Sequence, residues 1–101
     1  MAYQLSKLAE EDIINIFISG ATQFGEQQAR RYHKQLAATF DFLASNPLAA
    51  PIRTEISPPV HLHPVGSHLI IYQVTADNGI YIIRVRHRLE DWTLAPDTVI
   101  A

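Results

Sequence analysis

The chain has no cysteine, which removes a disulfide framework, a thiolate nucleophile and a cysteine zinc site together. That composition is compatible with the cytosol. There is no surplus of positive charge either. Eight Lys and Arg stand against ten Asp and Glu, for a net charge of −2 and a pI near 6.2. A protein that grips a phosphate backbone normally carries a basic excess, so any such role must rest on a local cluster. No apolar run approaches the length of a membrane span. Residues 1–25 lack a basic segment followed by a continuous apolar stretch, so no secretory signal is expected. Internal repeats and low-complexity segments are absent, as are a glycine-rich phosphate loop, a nucleophile elbow and a metal motif.

What is present fits one globular domain over residues 1–101, with a core at about 3–92 and a tail at 93–101. The 101 residues are 48% hydrophobic, which argues against disorder. Tyr3-Gln4-Leu5 reads as a short strand. Ser6 can cap the helix that follows, and Glu10, Glu11 and Asp12 suit its positive end. Ile13, Phe17, Ala21 and Phe24 recur at helical spacing. Gly25 punctuates the link to a second helix over Glu26–Asn46, whose stripe is Ala29, Tyr32, Leu36, Phe40 and Leu43. Asn46-Pro47 stops it, because a residue before proline avoids helical geometry. A proline-punctuated connection, 48–59, leads to strands at Val60–His63, His68–Thr75 and Ile80–Arg88. Asn78-Gly79 between two alternating apolar runs is a strong hairpin signal. The expected fold is α+β, with order β-α-α-β-β-β and a helical hairpin packed on one face of a small twisted antiparallel sheet.

Alternation sorts the strand residues onto two faces. Ile70, Tyr72, Val74, Tyr81, Ile83 and Val85 share the first, with His61, His63, His68 and His87 towards its ends. Val60, Leu62, Leu69, Ile71, Ile80 and Ile82 share the second, followed by Gln73, Arg84 and Arg86. The aromatic-rich first face is assigned to the helices. The second is then an open apolar face that asks for a partner. Two or three histidines on one face could bind zinc or nickel, but no acidic residue nearby in sequence orients them.

Several segments together resemble the ParE branch of the RelE/ParE superfamily of toxin–antitoxin toxins, from about Tyr3 to Trp92. They are the acidic-then-apolar first helix, Phe24-Gly25 with Ala29, Tyr32 and Leu36, and Leu43-Ala44-Ser45-Asn46-Pro47. Ser67-His68-Leu69-Ile70-Ile71-Tyr72 and Ile82-Ile83-Arg84-Val85-Arg86-His87-Arg88 follow, with Asp91 beyond. The resemblance implies a toxin that poisons DNA gyrase by binding, silenced by a ParD-type antitoxin in a toxin–antitoxin hetero-oligomer. It implies action in the bacterial cytoplasm, with no cofactor, no metal, no membrane and no sequence-specific nucleic-acid binding by the toxin alone.

The RelE branch instead cuts mRNA on the ribosome, which needs cations on the open face. Nucleases of that branch carry an arginine three residues before the tyrosine matched by Tyr72. Leu69 stands there, with Val60 and Leu62 on the preceding strand. His87 could still serve as an acid or base, or merely hydrogen-bond locally at a strand end. No catalytic residue is therefore assigned. The target-contact candidates are Arg84, Arg86, His87, Arg88, Asp91 and Trp92. The antitoxin-contact candidates are Leu62, Leu69, Ile71, Ile80 and Ile82. A fold that kept antitoxin binding and lost toxicity is a third alternative.

Overall fold

The structure, a computed structural model, describes residues 3–88. The elements run β1 (Tyr3–Leu5), α1 (Lys7–Phe24), α2 (Glu26–Ser45), β2 (Ile52–Arg53), β3 (Val60–Val65), β4 (His68–Val74) and β5 (Ile80–His87). The strands form one sheet in the order β1-β5-β4-β3-β2, covered on one face by the helices. β5, β4 and β3 are antiparallel neighbours, as expected, and β2 adds to β3 antiparallel as well. β1 joins β5 in parallel, Leu5 facing Ile82, so the sheet is mixed at that edge. The two-residue β2 lies inside the stretch expected to be a plain connection.

Local chemistry sets the helix ends. The Ser6 backbone is extended, and its Oγ accepts the Ala9 N–H at 2.9 Å. The same hydroxyl donates to the Ile83 carbonyl at 2.6 Å, and the Ser6 N–H donates to Ile82 O at 2.9 Å. One residue thus ends β1, starts α1 and ties both to β5. Gly25, at φ 91, closes α1 through its N–H to Ala21 O and opens α2 by accepting from Ala29 N. A side chain would be strained in that conformation.

The main core lies between helices and sheet: Ala9 and Ile13 of α1, Leu36, Phe40 and Leu43 of α2, and Ile70, Tyr72, Ile80, Ile82 and Val85 of the sheet. A smaller cluster on the far face holds Val60, Ile71 and Ile83, with Ile56, Leu62, Leu69 and Tyr81 around it.

The face assignment is right for β4 and reversed for the first half of β5. Ile70 and Tyr72 do meet the helices, and Leu69 and Ile71 point away. Ile80 and Ile82, expected on the open face, are 1% and 0% exposed in the helix-side core. Tyr81 and Ile83, expected under the helices, lie on the other side. The cause is a register shift. Val74 faces Ile80 and Tyr72 faces Ile82, whereas Ile71 faces Arg84 and Ile70 faces Val85, leaving Ile83 as the extra residue of a β-bulge. The connecting loop 75–79 has odd length. Its Thr75 N–H donates to Gly79 O, its Asn78 N–H donates to Thr75 O, and Asn78 sits at φ 65. The bulge takes that odd residue back.

Candidate functional site

The basic end of β5 is built where the strand outlives its neighbour. β1 stops at Leu5, opposite Ile82, and the chain turns into α1. Asp12, in the second turn of α1, takes up the outer edge there. Its Oδ2 accepts the Val85 N–H at 3.0 Å and Arg84 Nε at 2.8 Å, and its Oδ1 accepts Arg84 Nη2 at 2.9 Å. Arg86 Nη1 stands 3.7 Å from the same Oδ1. The side chains of Asp12 and Arg84 are only 11% and 9% exposed. A carboxylate at such depth is tolerable because it is paired and fully hydrogen-bonded.

Two expectations change. Asp12 is a partner of β5 rather than of the α1 dipole; Glu10 is the acid of the first turn. Arg84 is buried against α1 and does not stand on the outer surface with the other cations. Arg86 is half-buried, and His87 and Arg88 are exposed. Asp91 and Trp92 lie outside the described residues.

Behind this strand end sits a hydrogen-bonded knot. The Tyr32 hydroxyl is 2.6 Å from His68 Nδ1, 3.1 Å from Val65 O and 3.2 Å from the Ser67 N–H. The ring of His87 lies edge-on to that of His68, with centroids 5.4 Å apart. Arg88 N–H donates to Ser67 O at 2.9 Å. Gly66, at φ 54, makes the turn possible: a Cβ there would meet the Tyr32 ring at 2.6 Å. Burial pushes the Tyr32 hydroxyl pKa up, partly offset by the hydrogen bond from Ser67. A cavity of about 660 Å³ opens beside the knot, walled in part by Asp12, Tyr32, His33, His68, Arg86 and His87.

The other histidines also have protein partners. His61 Nδ1 is 2.8 Å from Ala50 O, and its ring stacks on Tyr72 at 5.0 Å. His63 lies against Phe42. Among the described residues no three His, Cys, Asp or Glu side chains converge as a metal site. No described helix is long and apolar enough to cross a membrane.

Of the antitoxin-contact candidates, Leu62 and Leu69 stand half-buried on the face away from the helices, and Ile71 is buried beneath them. Ile80 and Ile82 belong to the opposite face and do not join them. Leu69 faces Arg86 across β4–β5 and Pro64 across β3–β4.

Asp12 and Tyr32 are the residues that sequence reading undervalued. Asp12 stands three residues after buried Ala9 and four before Ile16, so a helix turns it inward. That spacing was the available signal.

The sequence matches a family profile described as the ParE toxin of the type II toxin–antitoxin system, parDE, over residues 3–92. A protein named Toxin ParE1 from Mycobacterium tuberculosis (strain ATCC 25618 / H37Rv) is 32% identical over 89 residues, covering 88% of this chain and 91% of the relative. Toxin ParE1 of Caulobacter vibrioides is 29% identical over 86 residues, covering 85% and 88%. In fold, the chain is similar to one in a structure titled "Chromosomal ParDE TA system from P. aeruginosa", with TM-score 0.71 and 18% identity, covering 86% of this chain and 95% of that one.

Proposed function

The chain belongs to the ParE toxin family of type II toxin–antitoxin systems, and from that premise we propose that it inhibits DNA gyrase by binding and is held silent by a ParD-type antitoxin. The observation that carries the reading is the end of β5. Arg86, His87 and Arg88 project from a strand end anchored to both α1 and the β3–β4 turn. Anchored arginines beside aromatic rings are the composition of an interface that binds through a few strong contacts. Asp91 and Trp92 are assigned to target contact with them.

The antitoxin contact includes Leu62 and Leu69, the half-buried apolar residues of the far sheet face. An amphipathic helix or an added strand from the antitoxin would cover them. The toxin acts in the bacterial cytoplasm as a single domain over 1–101, within a toxin–antitoxin hetero-oligomer. It needs no cofactor or metal, and it does not itself read DNA sequence.

The ribonuclease alternative draws on the His68–His87 pair but meets an apolar residue at Leu69, where that chemistry needs a cation. The deciding experiment incubates purified protein with gyrase, ATP and supercoiled plasmid. Enzyme-linked cleaved DNA with lost supercoiling is the expected result. No effect from folded protein at large molar excess, together with mRNA cleavage during translation, would replace this reading with the nuclease one.

A further inference from the structure

β5 runs beyond the protection of its outer neighbour, and the place where that happens is also where its charges begin. Past Ile82 there is no β1 residue to pair with, and a β-bulge at Ile83 loosens the ladder on the inner side as well. Among the described strands, only β4 pairs with that end of β5, on its inner side. Asp12 supplies an acceptor on the outer side. Its carboxylate accepts the Val85 N–H as a neighbouring strand carbonyl would, and it clamps Arg84 with two further bonds. The pairing is bidentate, the geometry in which guanidinium and carboxylate hold each other most rigidly.

We infer that Asp12 is a positioning residue for the target-contact strand end, acting through Val85 and Arg84 to hold the outer edge of β5 from which Arg86, His87 and Arg88 present their side chains. Arg84 belongs with Asp12 in that frame and does not itself touch the target. Arg86 has a different part. Its 3.7 Å approach to Asp12 is a long, partly exposed ion pair. Such a partly exposed pair contributes little in water. The inference rests on the gyrase-inhibitor reading for its functional half. Its structural half stands on the contacts of Asp12 alone.

Asp12→Asn tests both halves. It keeps the side-chain shape but leaves one acceptor oxygen for Val85 and Arg84 to share. In the full chain, amide hydrogen exchange at Val85 should speed up by about tenfold or more. Potency in the gyrase-cleavage assay should fall by about tenfold, while affinity for the cognate antitoxin, measured by calorimetry, stays within about threefold. General loss of structure would lower both together, and that outcome overturns the inference, as does unchanged exchange at Val85 or unchanged potency. If the wild-type chain leaves gyrase untouched, the gyrase reading fails, and Val85 exchange still decides the role of Asp12. Should Asp12→Asn not fold, Arg84→Lys carries the same test, because it keeps the charge and drops the bidentate fork.

Discussion

At the scale of single residues, Tyr32 shows how little freedom a half-buried hydroxyl has. It owns one hydrogen and two lone pairs. The Ser67 N–H fills one lone pair, and the Val65 carbonyl can only accept, so the hydroxyl hydrogen goes to Val65. His68 Nδ1 must then donate into the second lone pair. This assigns the neutral His68 ring to the tautomer protonated at Nδ1, with Nε2 unprotonated. Nitrogen-15 shifts of the neutral His68 ring should show that pattern, and the reverse would mean that Tyr32 does not donate to Val65. Tyr32→Phe strands three groups and should cost about 1–3 kcal/mol in urea unfolding at neutral pH. Burial raises the hydroxyl pKa of both Tyr32 and Tyr72 above the ordinary value of 10.0. The folded chain therefore holds these protons more tightly than the unfolded one. The stability they contribute is complete below the unfolded value and is lost as pH rises through the folded value. A Tyr32→Phe, Tyr72→Phe double variant should show a shallower stability loss above about pH 10, the unperturbed tyrosine value.

At the scale of elements, what could be read from sequence was what is decided locally. Ser6 caps α1 because a hydroxyl immediately after a short strand can reach the N–H three residues on, and no distant group enters that decision. Gly25 separates the two helices for an equally local reason, its positive φ. The β4–β5 hairpin was legible in existence but not in register. Loop 75–79 and the bulge at Ile83 each shift parity by one, and neither leaves a mark in an unbroken run of Ile, Tyr, Ile, Ile. β2 is too short to show alternation, and the parallel direction of β1 is set by where α1 and α2 return the chain. Ser6 is also the joint where these elements meet. Ser6→Ala removes the cap and the bond to Ile83 O, and should lower unfolding free energy by about 1–2 kcal/mol, at the upper end of simple cap deletions. Ser6→Thr, which keeps the hydroxyl, should recover most of that loss in the same denaturation measurement.

At the scale of the whole molecule, the two faces of the sheet separate residues sealed under the helices from the residues proposed to meet a partner. The cations at the end of β5 were legible as a group because they follow one another in sequence. That Arg84 is withdrawn from the group was not, since its partner Asp12 is 72 residues away. The same distinction divides the apolar candidates. Leu69 and Ile82 carry similar hydrophobic side chains, yet Leu69 is half-buried on the far face and Ile82 is sealed under the helices. A carboxylate introduced at position 69 would face Arg86 across the β4–β5 pair, where it can be solvated and partnered. One introduced at position 82 would enter the apolar core between the helices and the sheet. Leu69→Asp should therefore keep a cooperative unfolding transition and lose about tenfold or more in antitoxin affinity, as removal of a strong interface contact does. Ile82→Asp should instead cost more than about 3 kcal/mol and collapse the thermal transition, whatever partner is present. Parallel melting and calorimetric titration of the two variants separates the faces: comparable loss of folding in both would remove the far face as a docking surface, and full antitoxin affinity in a folded Leu69→Asp would do the same.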